Sequence, residues 1–229
     1  MLHKTKGIVI NFIPYRETSV IVKIYTEKFG IQSYIENGVR SARGKNKIAL
    51  FQPMTLLDLV VYHDEKKDLH RISEIKCPNP LTSIPYEINK LSISLFINEV
   101  LAKTLKEHEE NEPLFFFLYQ SILSLDAMEK HAENFHLIFL AKYSLYLGFA
   151  PQSAGEIASQ FKDLAIAIPV EAESKRYLDF LFTSNYGDEI KMGKDFRNHL
   201  LEILIMFYRI HQEEFGELRS LPVLRTVLH

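Results

Sequence analysis

The hydrophobic periodicity of this 229-residue chain changes at about residue 80, and that change separates two kinds of fold. Before it, apolar and polar residues alternate in KGIVINF, SVIVKIYT and IQSYIE. Alternation with a period of two is typical of strands with one buried face. Two further segments, MTLLDLVVY and LHRISEI, continue the pattern and are joined by the charged turn HDEKKD. The first 80 residues therefore predict five strands.

Five short strands without a helix-length crossover favour a small closed barrel, and the five-stranded OB-fold is the natural candidate. Alternation places Phe12 on the same face of the first strand as Ile8 and Ile10, which predicts that Phe12 lies in the core. It places Tyr34 on the face opposite Ile31 and Ile35, which predicts that Tyr34 is open to a ligand.

The segment CPNPLTSIP carries three prolines and marks a boundary between two domains, residues 1–80 and 81–229. Beyond it the apolar spacing is helical. NFHLIFLAKYSLYLGF is apolar nearly all round, which predicts a central helix that ends at Gly148. We therefore expect an α+β chain in which an N-terminal OB-fold barrel is followed by a mostly α-helical domain, with irregular structure over residues 151–192.

Motifs for enzymatic chemistry are missing from the sequence. The single cysteine, Cys77, excludes an internal disulfide and a multi-cysteine zinc site, and it suits a reducing compartment such as the cytoplasm. His3, His63 and His70 are isolated along the chain, and no histidine pair has the spacing of a zinc hydrolase. There is no phosphate-binding glycine loop, dinucleotide fingerprint or nucleophile elbow. We expect no catalytic activity, metal, cofactor or membrane span.

The strongest charge feature is the stretch GVRSARGKNK, residues 38–47, which holds four cations and no acid. Residues 1–80 contain 13 Lys and Arg against 8 Asp and Glu, although the formal net charge of the chain is −2. Such a loop can follow a phosphate backbone, but a solvated loop that contacts nothing has the same composition. A barrel adds the positive groove and aromatic platforms that single-strand binders combine. The candidate contacts are Lys4, Lys6, Tyr15, Arg16, Lys23, Tyr34, Arg40, Arg43, Lys45 and Lys47.

Several short motifs also follow one another in a specific order. A glycine-led first strand precedes a Tyr-x-Glu-x-Ser motif, a Thr-Glu-x-x-Gly turn and a Gly-x-Arg basic loop. Their residues are Gly7, Tyr15, Glu17, Ser19, Thr26, Glu27, Gly30, Gly38 and Arg40. Together with LFQPMTLLDL and the C-terminal YRIHQEEFGELRSLPVLRTVL, this order resembles the RecO family of bacterial DNA repair proteins.

The resemblance implies a recombination mediator without covalent chemistry, associated with the nucleoid. Such a protein binds single- and double-stranded DNA, anneals complementary strands and works with RecR. It also engages the C-terminal tail of single-stranded DNA-binding protein to help load the RecA recombinase. That tail is acidic with an apolar end, so we expect its site to be an apolar groove rimmed by Lys or Arg in the helical domain. The lysines available from sequence are Lys103, Lys106, Lys130 and Lys142.

One departure from the family concerns zinc. Several members carry a four-cysteine zinc site at the position of residues 151–192, but residues 137–198 contain no cysteine or histidine. This stretch is therefore expected to hold together by packing. An alternative function stays open at this point: a protein-interaction adaptor whose acidic helical domain binds the partner and whose basic loop is incidental.

Overall fold

The computed structural model describes residues 1–40, 47–106 and 108–228. Its five strands close into a barrel in the order β1-β2-β3-β5-β4, in which β3 and β5 are parallel and the other neighbours are antiparallel. The predicted five-stranded OB-fold barrel is thus confirmed. The strands are β1 (Leu2–Tyr15), β2 (Ser19–Thr26), β3 (Gly30–Glu36), β4 (Leu56–Tyr62) and β5 (Leu69–Lys76).

Strand β1 pairs with β4 along its first half and with β2 along its second. A register shift between Val9 and Asn11 inserts one extra residue where the strand changes partner. Such a bulge bends a strand and reverses the alternation of the residues that follow. The prediction that Phe12 packs in the core is confirmed, because it lies against the barrel core together with Val9. Its assignment to the same face as Ile8 and Ile10 was wrong.

The helical part contains α1 (Ile88–Thr104), α2 (Glu112–Ala127), α3 (Phe135–Tyr146), α4 (Ala154–Asp163), α5 (Ala172–Thr183), α6 (Lys194–His211) and α7 (Leu221–Val227). Helix α3 packs against α5 and α6 and is buried along most of its length, as predicted. Residues 151–192 contain α4 and α5, each of which buries one apolar face, where the sequence predicted irregular structure. Within the described residues, no helix is long and apolar enough to cross a membrane.

The chain divides into two compact units, and the division falls within α1. The first unit comprises Met1–Tyr86 and Ile97–Asp126, and the second comprises Glu87–Phe96 and Ala127–His229. In the first unit α2 covers part of the outside of the barrel, where the Phe115 ring lies 6.0 Å from that of Tyr25. The domain boundary at residue 80 stays a prediction.

The carboxylate of Asp126 fastens the segment that leaves the barrel to the end of α2. It accepts hydrogen bonds from the backbone N–H groups of Thr82, Ser83 and Ile84 at 2.8, 2.9 and 2.9 Å, and from the Thr82 hydroxyl at 3.0 Å. Partial burial alone would raise the pKa of Asp126, but the N–H donors of Ile84, Thr82 and Ser83 outweigh it and lower the pKa. The ionised carboxylate is therefore part of the folded structure.

We expect Asp126→Ala to lower the free energy of unfolding by about 2–3 kcal/mol, because it leaves three N–H groups without their acceptor. Urea denaturation followed by circular dichroism measures this loss. The matched control is Asp163→Ala, which removes an exposed carboxylate from the end of α4. The control should stay within about 0.5 kcal/mol of the wild type.

The pH dependence of this loss has a defined direction. Because the folded pKa lies below the unfolded value of about 3.9, the stabilisation is fully present above that value and disappears as the pH falls below it. An equal loss in the free energy of unfolding for Asp126→Ala and Asp163→Ala at neutral pH would contradict a stabilising role of the hydrogen bonds to Asp126.

Candidate nucleic-acid interface

The basic loop starts at one end of the barrel, beside the turn that joins β1 to β2. We call this surface the loop end and define it as residues 15–18, 37–40 and 47. The backbone N–H of Arg40 donates to the Thr18 carbonyl at 2.9 Å, and its guanidinium donates to the Arg16 carbonyl at 3.5 Å. The Ser19 hydroxyl donates to the Asn37 side-chain oxygen at 2.9 Å. The start of the loop is thus attached to a second loop rather than hanging from β3 alone.

Four of the predicted contact residues lie at the loop end: Tyr15, Arg16, Arg40 and Lys47. The Arg16 guanidinium lies 5.2 Å from the centre of the Tyr15 ring, a cation–π arrangement. Arg16 has a backbone φ of 51°, which is uncommon for a residue other than glycine and turns the chain between β1 and β2. Arg16 and Arg40 are exposed. Arg43 and Lys45 lie outside the described residues.

Lys47, the last cation of the stretch, forms an ion pair with Glu36 at the end of β3. The Glu36 side chain is only 12% exposed, so this pair is less screened by solvent than a typical surface pair. Lys47 therefore has its charge offset by a neighbouring acid, whereas no ion pair is found for Arg40 among the described residues.

Lys4 and Lys6 lie on a different surface, on the first half of β1 beside β4. They line a groove of about 410 Å³ that also contains two further lysines and three acids. Lys6 pairs across the strands with Asp58 and lies 5.4 Å from the centre of the Tyr119 ring. This groove has mixed charge, so the structure does not join Lys4 and Lys6 to the loop end.

The expectation for Tyr34 was wrong. Its side chain is 0% exposed and belongs to the hydrophobic core of the barrel. The alternation along β3 was assigned to the wrong face because Ile31 is also buried, on the outer side of the strand. There the segment after α1 covers the strand, and the His108 ring donates to the Ile31 carbonyl at 2.6 Å. Tyr34 cannot stack on a base.

An open face on the outside of β1, β2, β3 and β5 was missed by the sequence reasoning. We call it the outer face and define it by nine outward positions: Asn11, Ile13, Tyr15, Ile21, Lys23, Ser33, Ile35, Leu69 and Arg71. None of the nine is acidic, and Lys23, one of the predicted contacts, lies at its centre between Asn11 and Ser33. The alternation of buried Val20, Val22 and Ile24 would have identified the β2 part of this face.

Three histidines that are isolated in the sequence meet at the opposite end of the barrel. The rings of Phe29 and His63 are stacked with centres 3.9 Å apart, those of His63 and His70 lie 4.7 Å apart, and His3 meets Phe29 edge-on. His70 also hydrogen-bonds to the Gln32 side chain at 3.0 Å. In the part of the chain that the structure describes, no group of three or more His, Cys, Asp or Glu side chains could hold a metal ion. We call the set of His3, Phe29, His63 and His70 the histidine stack.

Comparison with known proteins identifies both parts of the chain. The family model described as "Recombination protein O N terminal" matches residues 1–81, and "Recombination protein O C terminal" matches residues 85–222. The chain is 35% identical to the DNA repair protein RecO of Phocaeicola vulgatus over 239 residues, which covers 99% of each chain. It is 36% identical to the DNA repair protein RecO of Flavobacterium psychrophilum over 236 residues, which covers 98% of each.

The histidine stack generates a prediction for acid stability. Burial is the main cause that lowers the pKa of His63 and of His70, and the charges of neighbouring histidines lower them further. The unfolded chain, with histidine pKa values near 6.5, therefore binds more protons than the folded one as the pH falls. We expect the stabilisation by neutral His63 to be complete above about pH 6.5 and to be lost as the pH falls toward the lower folded pKa.

His63→Phe tests this prediction because it keeps the ring stacked on Phe29 and removes the titrating group. Urea midpoints at several pH values between 7.5 and 5.5 should fall less steeply for the variant than for the wild type. Leu145→Phe on α3, at an exposed position without a titrating group, serves as the control and should keep the wild-type slope. The same slope for wild type and His63→Phe would contradict the prediction.

Proposed function

Since this chain belongs to the RecO family of DNA repair proteins, we propose that it is a recombination mediator whose barrel binds single- and double-stranded DNA. In this proposal the protein anneals complementary strands and, with RecR, helps load RecA onto strands covered by single-stranded DNA-binding protein. The basic loop supplies phosphate contacts, and no covalent step is involved.

The observation that carries the DNA-binding proposal is the attachment of Arg40 to the β1–β2 turn. A cation held by a fixed backbone loses less conformational freedom on binding than one on a free loop. Arg16 is exposed beside it, and its own position is supported by the Tyr15 ring. The loop end therefore offers prearranged cations to a phosphate backbone, and Arg43 and Lys45 belong to the same sequence stretch.

Annealing follows from the same electrostatics. Each strand carries condensed counterions, and cations of the protein that replace them lower the repulsion between two strands. Binding of this kind does not depend on base sequence, so complementary strands remain free to pair. The role proposed for the barrel is to raise the local concentration of the strands and to neutralise part of their phosphate charge, while base pairing supplies the specificity.

Arg40→Ala is expected to weaken single-strand binding and to reduce the log–log salt slope by about 0.7 for the phosphate contact it removes. Lys47→Ala should reduce the slope less, because Glu36 offsets its charge. Fluorescence anisotropy of a labelled oligonucleotide over a range of salt concentrations measures both. The variant with Arg40, Arg43, Lys45 and Lys47 all changed to alanine should show the largest reduction.

The same variants distinguish this function from that of an adaptor. An unchanged salt slope for the four-alanine variant would remove the loop from the DNA site. Partner binding that survives the four changes, with no strand annealing by the wild type, would favour the adaptor. An annealing assay with and without single-stranded DNA-binding protein separates these outcomes.

A groove in the second compact unit supports a site for the acidic tail of single-stranded DNA-binding protein. It has a volume of about 680 Å³ and contains apolar side chains of Tyr177, Phe180 and Ile190. Arg176 and Lys191 lie on its lining with highly exposed side chains, each close to one exposed glutamate, and the acids Asp179 and Glu189 line it as well. The Asp179 carboxylate already accepts a hydrogen bond from the Ala154 N–H at 2.6 Å, at the start of α4. Exposed pairs of this kind contribute little, so both cations can turn to an acidic peptide. These cations differ from the four lysines considered from the sequence.

Phe180→Ser should weaken the binding of a labelled acidic peptide with an apolar C-terminus by about tenfold, because it removes an apolar side chain that is 47% exposed in the groove. DNA binding should be unchanged. The matched control is Phe116→Ser on α2, where the side chain is 63% exposed and lies outside this groove. Equal peptide affinities for wild type and Phe180→Ser would exclude the groove.

A further inference from the structure

We infer that a row of side chains on the outside of the barrel contacts the unpaired bases of single-stranded DNA. The row consists of Ile13, Ile21, Ile35, Arg71 and Tyr62. We call it the base row. The inference rests on the proposed function, because it states how a strand is held once the barrel binds DNA. It also gives a reason why unpaired DNA would be distinguished from duplex.

The base row follows directly from the strand register. Ile13 lies opposite Ile21, Ile21 opposite Ile35, Ile35 opposite Arg71, and Arg71 opposite Tyr62. The five residues therefore form one continuous line across β1, β2, β3, β5 and β4. With neighbouring strands about 4.8 Å apart, the line extends about 19 Å around the barrel.

The side chains of the base row point away from the barrel core. Val20 and Val22, on either side of Ile21, are fully buried, as is Tyr34 beside Ile35. Ile13 is 56% exposed and Tyr62 is 51% exposed. Branched apolar side chains aligned on an open sheet face have no role in the core, and such patches mark binding surfaces.

The charges around the base row select the occupant. Arg71 is part of it, Lys23 lies two residues along β2 from Ile21, and Arg16 and Arg40 lie at the adjoining loop end. No acid occupies the nine positions of the outer face, whereas the β4 and β5 positions beside Lys4 and Lys6 carry Asp58 and Glu74. The β4–β5 turn beside Tyr62 and Arg71 carries three exposed acids and two lysines, so the cationic border lies along the β1, β2 and β3 part of the row. There an apolar line bordered by cations matches a single strand, whose bases are apolar on their faces and whose backbone is anionic.

The chemistry of the base row also predicts which features of DNA it does not recognise. Isoleucine side chains have no hydrogen-bond donors or acceptors, so they cannot read base identity. Tyr62 and the planar guanidinium of Arg71 give stacking surfaces that accept any base. Duplex DNA hides the faces of its bases in the helix, so it can use the cations but not the row. The isoleucines of the base row thus confer preference for unpaired DNA without reading base identity.

The test is the double variant Ile13→Ser/Tyr62→Ser, chosen because both side chains are more than half exposed and their loss should spare the fold. Anisotropy titrations over a range of salt should show a single-strand Kd raised about tenfold at every salt concentration, with an unchanged salt slope. The Kd for duplex should stay within twofold of the wild type. A matched control, Leu145→Ser on α3, removes a side chain that is 67% exposed and should change neither Kd.

Four results would overturn the inference. They are a wild-type single-strand Kd in the double variant, an equal loss on single strand and duplex, a reduced salt slope, and a change in sedimentation without a change in DNA affinity. The last would make the row a contact between copies of the chain. A wild-type protein that binds no DNA would instead overturn the proposed function, and the row with it. Urea denaturation of the variant establishes that a raised Kd does not come from unfolding.

Discussion

Closure of the barrel depends on a single strand, β1, which bends and changes partner at its bulge. At Gly7, just before the bulge, a Cβ atom would come within 2.6 Å of Ile24 Cγ2 and 3.0 Å of Leu59 Cδ1. A larger residue at position 7 would therefore collide with side chains from β2 and β4, the two strands that flank β1. The extra residue then reverses the alternation, which turns Phe12 inward and Ile13 outward. The position of the outer face follows from these two features.

The sequence was sufficient to predict the fold, but it was insufficient to predict which face of each strand points into the barrel core. Alternation identified the five strands, and helical spacing identified the helical part, because these periods reflect which residues are buried. Alternation could not choose between two faces where both are covered, as on β3 at Ile31 and Tyr34. It also could not show a bulge, since one inserted residue leaves no mark in composition. The errors at Phe12 and Tyr34 come from these two limits.

Residues far apart in the chain were equally hidden from sequence reasoning. His3, His63 and His70 meet only because β1 begins where β4 ends and β5 starts. The loop end was partly accessible, because Arg40 lies within an obvious basic stretch, but its attachment to Arg16 and Thr18 depends on barrel closure. Charge counting also treated Lys47 as equivalent to Arg40, although Glu36 forms an ion pair with Lys47.

The hydrogen bonds to Asp126 have a consequence for how the protein can be divided. The first compact unit is discontinuous in sequence, since it combines Met1–Tyr86 with Ile97–Asp126. A fragment that stops at the proline-rich segment would keep every strand and lose the acceptor for Thr82, Ser83 and Ile84, together with the Phe115 ring that covers Tyr25. A barrel that keeps these contacts is therefore longer than its strands, and activities measured on a shorter fragment would describe an incompletely covered barrel.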